Sequence, residues 1–136
     1  MSSRIKYIRS AVYVSLAAFW LLLFVLTTLP GSSLPHFKIN DKVLHFASYF
    51  ILSVLLNCSL RLQNKYPAAR KYSVLITLII TALYGMLDEL HQELIPGREA
   101  DIKDWIADMA GATLGMLFTA SIFLLRRIIR FVLRPD

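Results

Sequence analysis

Four long apolar blocks, separated by short stretches that hold most of the charged residues, limit most strongly how this chain can fold. The blocks cover about residues 11–29, 43–60, 72–92 and 104–125, and a helix needs about 20 apolar residues to cross a bilayer. Hydrophobic residues make up 57% of the chain and charged residues only 18%, which excludes an ordinary soluble domain. The sequence therefore predicts an all-α membrane protein with a single domain, a bundle of four transmembrane helices.

The first block follows a basic leader, a pattern that also fits a secretory signal peptide. Its apolar core is long for a signal peptide and no small-x-small cleavage site precedes Pro30, so we predict an uncleaved first helix. The connection after this helix contains Pro30, Gly31, Ser32, Ser33 and Pro35. Such a composition predicts an irregular loop.

The basic residues of the connections predict how the helices are oriented in the membrane. The leader, the segment Arg61–Lys71 and the tail after the fourth block hold 11 of the 15 basic residues. Because basic connections remain in the cytoplasm, both termini are predicted to be cytoplasmic. Apart from Asp136, the acidic residues lie at or near the opposite, extracytoplasmic face. The net charge of +6 does not indicate nucleic acid binding, because no basic stripe is interleaved with aromatic residues.

Polar side chains gather at the predicted extracytoplasmic ends of the last three blocks. Residues three or four apart share one face of a helix, as Asp41, His45 and Tyr49 do in the second block and Asp104 and Asp108 do in the fourth. The third and fourth blocks are joined by a short connection, so their polar ends must meet. Because titratable groups are costly near hydrocarbon and are usually retained for a function, we predict one polar hollow at this end.

Each residue of the predicted hollow has an expected role. The candidate catalytic residues are Asp41, His45, Glu89 and Asp108. The candidate substrate-binding residues are Lys42, Tyr49, Gln92, Arg98 and Asp104. Asp41, one turn before His45, is expected to orient the imidazole ring for acid–base work. Arg98 is expected either to pair with Glu89 or Asp104, or to bind an anionic group of a ligand.

A purely structural interpretation of the same residues remains open. Asp41 and Asp104 would then be amino-terminal helix caps. Glu93, Glu99 and Asp101 would simply face solvent at the membrane surface. This interpretation fits Glu89 and Asp108 poorly, because each lies about one turn inside its helix on a face shared with other polar groups.

Small residues recur at every fourth position of the last block, at Ala107, Gly111, Gly115 and Thr119. In membranes this pattern allows another helix to approach closely. We therefore interpret the stripe as packing and not as chemistry.

A divalent metal ion is a candidate cofactor. Carboxylates with one imidazole suit an ion of the magnesium, manganese or zinc type. No compact ligand motif such as HExxH is present, so the ligands would have to come from different helices.

Three segments of the chain resemble those of a known family: DKVLHFASYFIL, DELHQELIPGR and DWIADMAGATLG. They are similar to the VanZ-like family of small bacterial membrane proteins. This family is named for a protein linked to teicoplanin resistance. The similarity covers about residues 34–118. Position 108 is often Asn in that family and is Asp in this chain. The resemblance implies a four-helix bacterial membrane domain in which these polar motifs cluster, and a link to the cell envelope or to glycopeptide resistance.

Three functions are compatible with these observations. The first is a membrane protein that acts on or binds a lipid-linked or anionic envelope ligand, with membrane lipids or an envelope precursor as partner. The second is a non-catalytic protein whose polar cluster is a buried hydrogen-bond network. The third, a small transporter, is less favoured because the polar residues stop at one leaflet. The bacterial cytoplasmic (inner) membrane is the expected location, and a homo-oligomer is a further expectation.

Overall fold

The computed structural model of the chain describes residues 3–30, 32 and 40–133. Its helices, in chain order, are α1 (Ser3–Thr28), α2 (Asp41–Leu62), α3 (Pro67–Lys71), α4 (Ser73–Gln92) and α5 (Ile102–Val132). All but α3 are long and apolar enough to cross a membrane, which confirms the prediction of four such helices. The irregular loop predicted at residues 30–35 lies mostly outside the described residues. The side of the membrane on which the termini lie stays a prediction.

The first and last helices extend beyond their predicted bounds. α1 begins at Ser3, about eight residues before the predicted start, and α5 continues to Val132, about seven residues past the predicted end. The added segments are rich in arginine and lysine, which favour helix and can direct their charged ends toward the membrane surface. Hydropathy therefore marks where hydrocarbon ends, and not where the helix ends.

The amino ends of α2 and α5 are capped by side chains just before each helix. Asn40 Oδ1 accepts from the backbone N–H of Lys42 at 3.0 Å, and Asp101 Oδ1 accepts from that of Lys103 at 2.9 Å. Such caps satisfy backbone donors that have no partner within the helix. Asp101 thus has the capping role that the structural interpretation gave to Asp104.

The glycines of α5 bring this helix against α2. A Cβ at Gly111 would collide with the backbone carbonyl of Phe46, and one at Gly115 would collide with the carbonyl of Phe50 and the hydroxyl of Ser53. These two positions therefore require glycine for their close approach to the neighbouring backbone. The interpretation of the small-residue stripe as packing is confirmed.

The apolar interior of the bundle is small. Leu23, Tyr49, Leu52 and Ala112 form its buried core, and many of the other large apolar side chains of the described residues face outward. Outward apolar faces are expected of helices surrounded by lipid. The interior instead holds polar groups, and these concentrate at the end of the bundle where α2 and α5 begin and α4 ends, which we call the acidic end.

Candidate functional site

Three side chains from three helices meet at the acidic end: His45 of α2, Glu89 of α4 and Asp108 of α5, which we call the central trio. His45 Nδ1 lies 3.0 Å from Asp108 Oδ1 and 3.9 Å from Glu89 Oε1. Asp108 is fully buried and Glu89 is only 6% exposed. The structure thus brings together the helix ends that the sequence predicts to converge, whereas the catalytic role of these residues stays a prediction.

Four buried oxygen atoms near the central trio have no hydrogen-bond partner among residues 3–30, 32 and 40–133. They are Glu89 Oε1, Asp108 Oδ2 and the hydroxyls of Tyr49 and Tyr84. The two tyrosine rings are close, with centroids 6.1 Å apart. A buried polar atom without a partner costs about 1–3 kcal/mol. Water or a ligand can satisfy such atoms.

Gly85 makes room for this arrangement on α4. A Cβ at this position would lie 3.2 Å from Asp108 Oδ2, 3.2 Å from Trp105 Cδ1 and 3.4 Å from Tyr49 Cε1. Because glycine has no side chain, α5 can place the Asp108 carboxylate directly over the backbone of α4. The buried oxygen of Asp108 and the Tyr49 ring therefore border the same small space.

Lys42 at the start of α2 forms ion pairs with two carboxylates of the same chain. Its Nζ donates to Asp101 Oδ2 at 2.9 Å and to Asp104 Oδ1 at 2.8 Å. Glu89 Oε2 accepts from the backbone N–H of Asp101 at 2.9 Å, which links this cluster to the central trio. The backbone N–H of Lys103 and the Lys42 ammonium hold the pKa of Asp101 below its ordinary value. Asp101 is therefore an ion-paired cap whose side chain remains 40% exposed, so the prediction that it faces solvent missed its partners and not its exposure.

Arg98 anchors the connection between α4 and α5 to α4 and α1. Its Nη2 donates to Gln92 Oε1 at 2.6 Å and its Nη1 donates to the Leu26 carbonyl at 3.2 Å. Gln92 in turn donates to Asp88 Oδ2 at 3.4 Å. The expected pairing of Arg98 with Glu89 or Asp104 is therefore wrong, because a neutral amide and a backbone carbonyl receive its donors.

Asp41 differs most from its expected role, and Asp88 is a buried carboxylate that had no expected role. Asp108, across the α2–α5 interface, holds the ring nitrogen that Asp41 was expected to orient. Asp41 is exposed, although its carboxylate lies within 4.8 Å of a His45 ring nitrogen. Asp88 was not selected as a site residue, yet it is only 7% exposed. Its spacing of four from both Tyr84 and Gln92 was the signal that could have identified it.

An apolar groove of about 300 Å³ lies between α4 and α5, with Glu89 in its wall. Its other lining residues are Met86, Leu90, Ala100, Ile102 and Trp105. The indole N–H of Trp105 donates to the Ala82 carbonyl at 3.1 Å, which fixes the ring on the groove side of α5. Glu89 thus borders both this α4–α5 groove and the central trio.

The acidic end supports two kinds of chemistry. When Asp108 is ionised its carboxylate only accepts hydrogen bonds, so a neutral His45 then donates from Nδ1 and keeps its other ring nitrogen as the basic one. The same groups can instead bind a metal ion. Donor atoms within 4.8 Å of one another are found in the central trio and in the set Asp41, His45 and Asp104.

The fold and the site together define a multi-pass membrane protein with a polar site at one end of its helix bundle. Residues 5–126 match the sequence profile of the VanZ/LLP1 family, and the chain belongs to this family. A protein of Schizosaccharomyces pombe is 26% identical over 115 residues, which cover 82% of this chain and 67% of the yeast protein. No solved structure matches the chain.

Proposed function

We propose that this membrane protein binds and acts on a lipid-linked ligand of the bacterial cell envelope, with the headgroup at the central trio and the apolar chain in the α4–α5 groove. The position of Glu89 carries the proposal, because this residue borders both places. Ligand sites are typically apolar clefts with a few convergent polar groups. An amphiphile fits this combination, since its polar and apolar parts can be bound side by side.

The unpartnered oxygens support a ligand at this position. Glu89 Oε1 and the Tyr49 and Tyr84 hydroxyls are buried without a partner among the described residues. A ligand or water molecule that donates to these oxygens would recover this cost. Met86 and Leu90, two of the groove residues, are exposed on α4, where lipid would surround the helix. A lipid could therefore enter sideways from the bilayer.

Trp105 provides a direct test, because its ring lines the groove. The chain has two tryptophans, so a Trp20→Phe background leaves Trp105 as the only indole emitter. Purified protein in detergent is titrated with phosphatidylglycerol whose acyl chains carry bromine, a contact quencher. We expect saturable quenching near one lipid per protein. Quenching that rises without saturation would contradict the proposal, because it would show only mixing of the lipid into the micelle.

Two matched substitutions separate groove binding from general contact with lipid. Ala100→Phe fills the groove, whereas Ala110→Phe adds the same side chain at an exposed position of α5. We expect the first to weaken saturable quenching at least about tenfold and the second to leave it unchanged. Equal effects of the two substitutions would contradict lipid binding in the α4–α5 groove.

A structural role of the polar cluster is the second candidate function. It is favoured by the chain of hydrogen bonds from Arg98 through Gln92 to Asp88, which joins the α4–α5 connection to the bundle. In that case a Gln92→Ala variant would lose stability, and no candidate lipid would bind saturably. Glu93→Ala, the same kind of truncation at the adjacent exposed position, is the matched control.

Family membership extends the proposal to the cell envelope and to glycopeptide resistance, including resistance to teicoplanin. We further propose the bacterial cytoplasmic membrane as location, with both termini in the cytoplasm and the acidic end outside. Cysteine labelling tests the orientation: a Cys58→Ser chain with Glu93→Cys, at the exposed carboxyl end of α4, should react with an impermeant thiol reagent in intact cells. Labelling only after lysis would reverse the orientation.

A further inference from the structure

We propose that the central trio binds one divalent transition-metal ion, of the zinc or manganese type, through His45, Glu89 and Asp108. The inference rests on the proposed function, because it states how the acidic end can hold an anionic headgroup. An imidazole with two carboxylates favours zinc or manganese over magnesium or calcium, which prefer oxygen ligands only. Three protein ligands also leave a coordination position open for a ligand or water.

The spacing of the donor atoms fits a coordination shell. Metal–ligand bonds of about 2.1 Å at tetrahedral angles separate neighbouring donor atoms by about 3.4 Å. His45 Nδ1 lies 3.0 Å from Asp108 Oδ1 and 3.9 Å from Glu89 Oε1, on either side of that value. Small rotations of the three side chains would equalise the spacing, and the proton now between His45 and Asp108 would be replaced by the ion.

The unpartnered oxygen of Glu89 is the independent observation that points to a cation. Glu89 is more than nine-tenths buried, and its Oε1, one of the three donor atoms of the proposed shell, has no hydrogen-bond partner among the described residues. Ionised carboxylate oxygens only accept, so an occupant must be a donor or a cation. Buried charges in proteins are paired or bound to metal, and one imidazole faces two carboxylates here.

The trio is favoured over the second candidate set, in which Asp41 and Asp104 flank His45. Asp104 Oδ1 already accepts from Lys42 at 2.8 Å, so a metal ion there would compete with an ammonium group. Asp41 is exposed and would be solvated by water. The central trio has neither competitor.

A bound cation would also reconcile an acidic site with an anionic ligand. Lys42 and Arg98, the basic side chains expected to bind the ligand, are engaged by Asp101, Asp104 and Gln92. Carboxylates alone would repel a phosphate or carboxylate headgroup. A divalent ion at the trio would balance the charge of the two carboxylates and offer an open coordination position to that headgroup.

Cobalt(II) is the probe for the first experiment, because it replaces zinc and gives visible absorption bands whose intensity reports coordination. The full chain, purified in detergent and freed of metal by a chelator, is titrated with Co²⁺. We expect one equivalent to bind. Glu89→Gln and Asp108→Asn should each weaken binding by more than about 100-fold, since loss of an outer-sphere partner alone typically costs 10–100-fold. Glu93→Gln, at an exposed position outside both candidate sets, should bind as the unchanged chain does.

His45→Cys adds a readout that a misfolded variant cannot produce. If His45 is a ligand, its replacement by a thiolate should give an intense sulfur-to-cobalt charge-transfer band in the near ultraviolet. A Cys58→Ser background removes the one native cysteine. The proposal is overturned if the unchanged chain binds no stoichiometric Co²⁺, if Glu89→Gln and Asp108→Asn bind as well as it does, or if the charge-transfer band does not appear.

The bromolipid titration, repeated with and without metal, distinguishes failure of this inference from failure of the proposed function. With Zn²⁺ bound, we expect affinity for brominated phosphatidylglycerol to rise at least about tenfold, while affinity for brominated phosphatidylcholine changes little. Saturable lipid binding that ignores the metal would overturn the metal inference and leave the proposed function standing. Metal binding without any saturable lipid binding would overturn the proposed lipid ligand and leave the metal inference standing.

Discussion

Gly111→Ala is the substitution that tests most sharply how α2 and α5 hold the site. The added methyl group would meet the carbonyl oxygen of Phe46, which belongs to backbone and cannot rotate away. Carbon and oxygen atoms normally approach no closer than about 3.3 Å. The two helices must therefore separate, by on the order of 1 Å, at a point directly beside the central trio.

The stability change can be worked out from two opposing effects. Replacing glycine by alanine inside a helix favours folding by about 1 kcal/mol. Overpacking costs about 1–3 kcal/mol, and the rigid backbone contact here puts the cost at the upper end. We expect a net loss of about 2 kcal/mol in unfolding free energy. The same separation would move His45 Nδ1 and Asp108 Oδ1 from 3.0 Å to about 4 Å, beyond hydrogen-bond distance.

Reversible unfolding in mixed detergent and dodecyl sulfate micelles, followed by circular dichroism, measures this change. Ala110→Gly, at an exposed position next to Gly111, is the matched control, because it changes helix propensity without touching α2. It should cost no more than about 1 kcal/mol. A Gly111→Ala protein that is as stable as the unchanged chain, or more stable, would refute the close packing on which the site geometry depends.

Three further predictions concern the neighbours of the central trio. Gly85→Ala should change stability little, because its Cβ would meet side chains that can give way, but it should displace Asp108 Oδ2 and weaken Co²⁺ binding at least about tenfold. The pKa of Asp101 is lowered in the folded state, so its contribution to stability is present above pH 3.8 and is lost as the pH falls through its folded-state pKa. Melting curves of Asp101→Asn should lack this acid-dependent loss. Lys42→Met should lower the melting temperature more than Lys42→Arg does, since only the arginine can still neutralise Asp101 and Asp104.

The four helices, their glycine packing and the existence of a polar end could be predicted from the sequence. Each follows from a local rule: apolar length, small residues at every fourth position, and the cost of carboxylates near hydrocarbon. Gly111 and Gly115 needed no tertiary information, because their spacing alone marks one face of α5. The ends of α1 and α5 were less predictable, because arginine and lysine continue a helix beyond the hydrocarbon.

The choice of partners within the site could not be predicted. Arg98 had several acceptors in reach, and the turn at Gly97, with φ of 74°, directs the chain so that the arginine meets Gln92 instead of Glu89. Asp101 and Asp104 both fitted a capping position, and only the observed start of α5 decides between them. Adjacent carboxylates raise the same difficulty: Asp88 and Glu89 are both buried, because α1, α2 and α5 all pack against α4.

The unfolding free energy of Glu89→Gln, measured with its lipid binding, tests the central claim that the trio is a ligand site and not a structural network. Gln keeps an acceptor for the backbone N–H of Asp101 and removes a buried charge with an unpartnered oxygen. We predict a protein at least as stable as the unchanged chain, by up to about 1–3 kcal/mol, that has lost saturable quenching of Trp105 by bromolipid. Glu93→Gln, four residues later and exposed, should change neither property. A Glu89→Gln protein that is clearly less stable and still binds lipid would contradict the account.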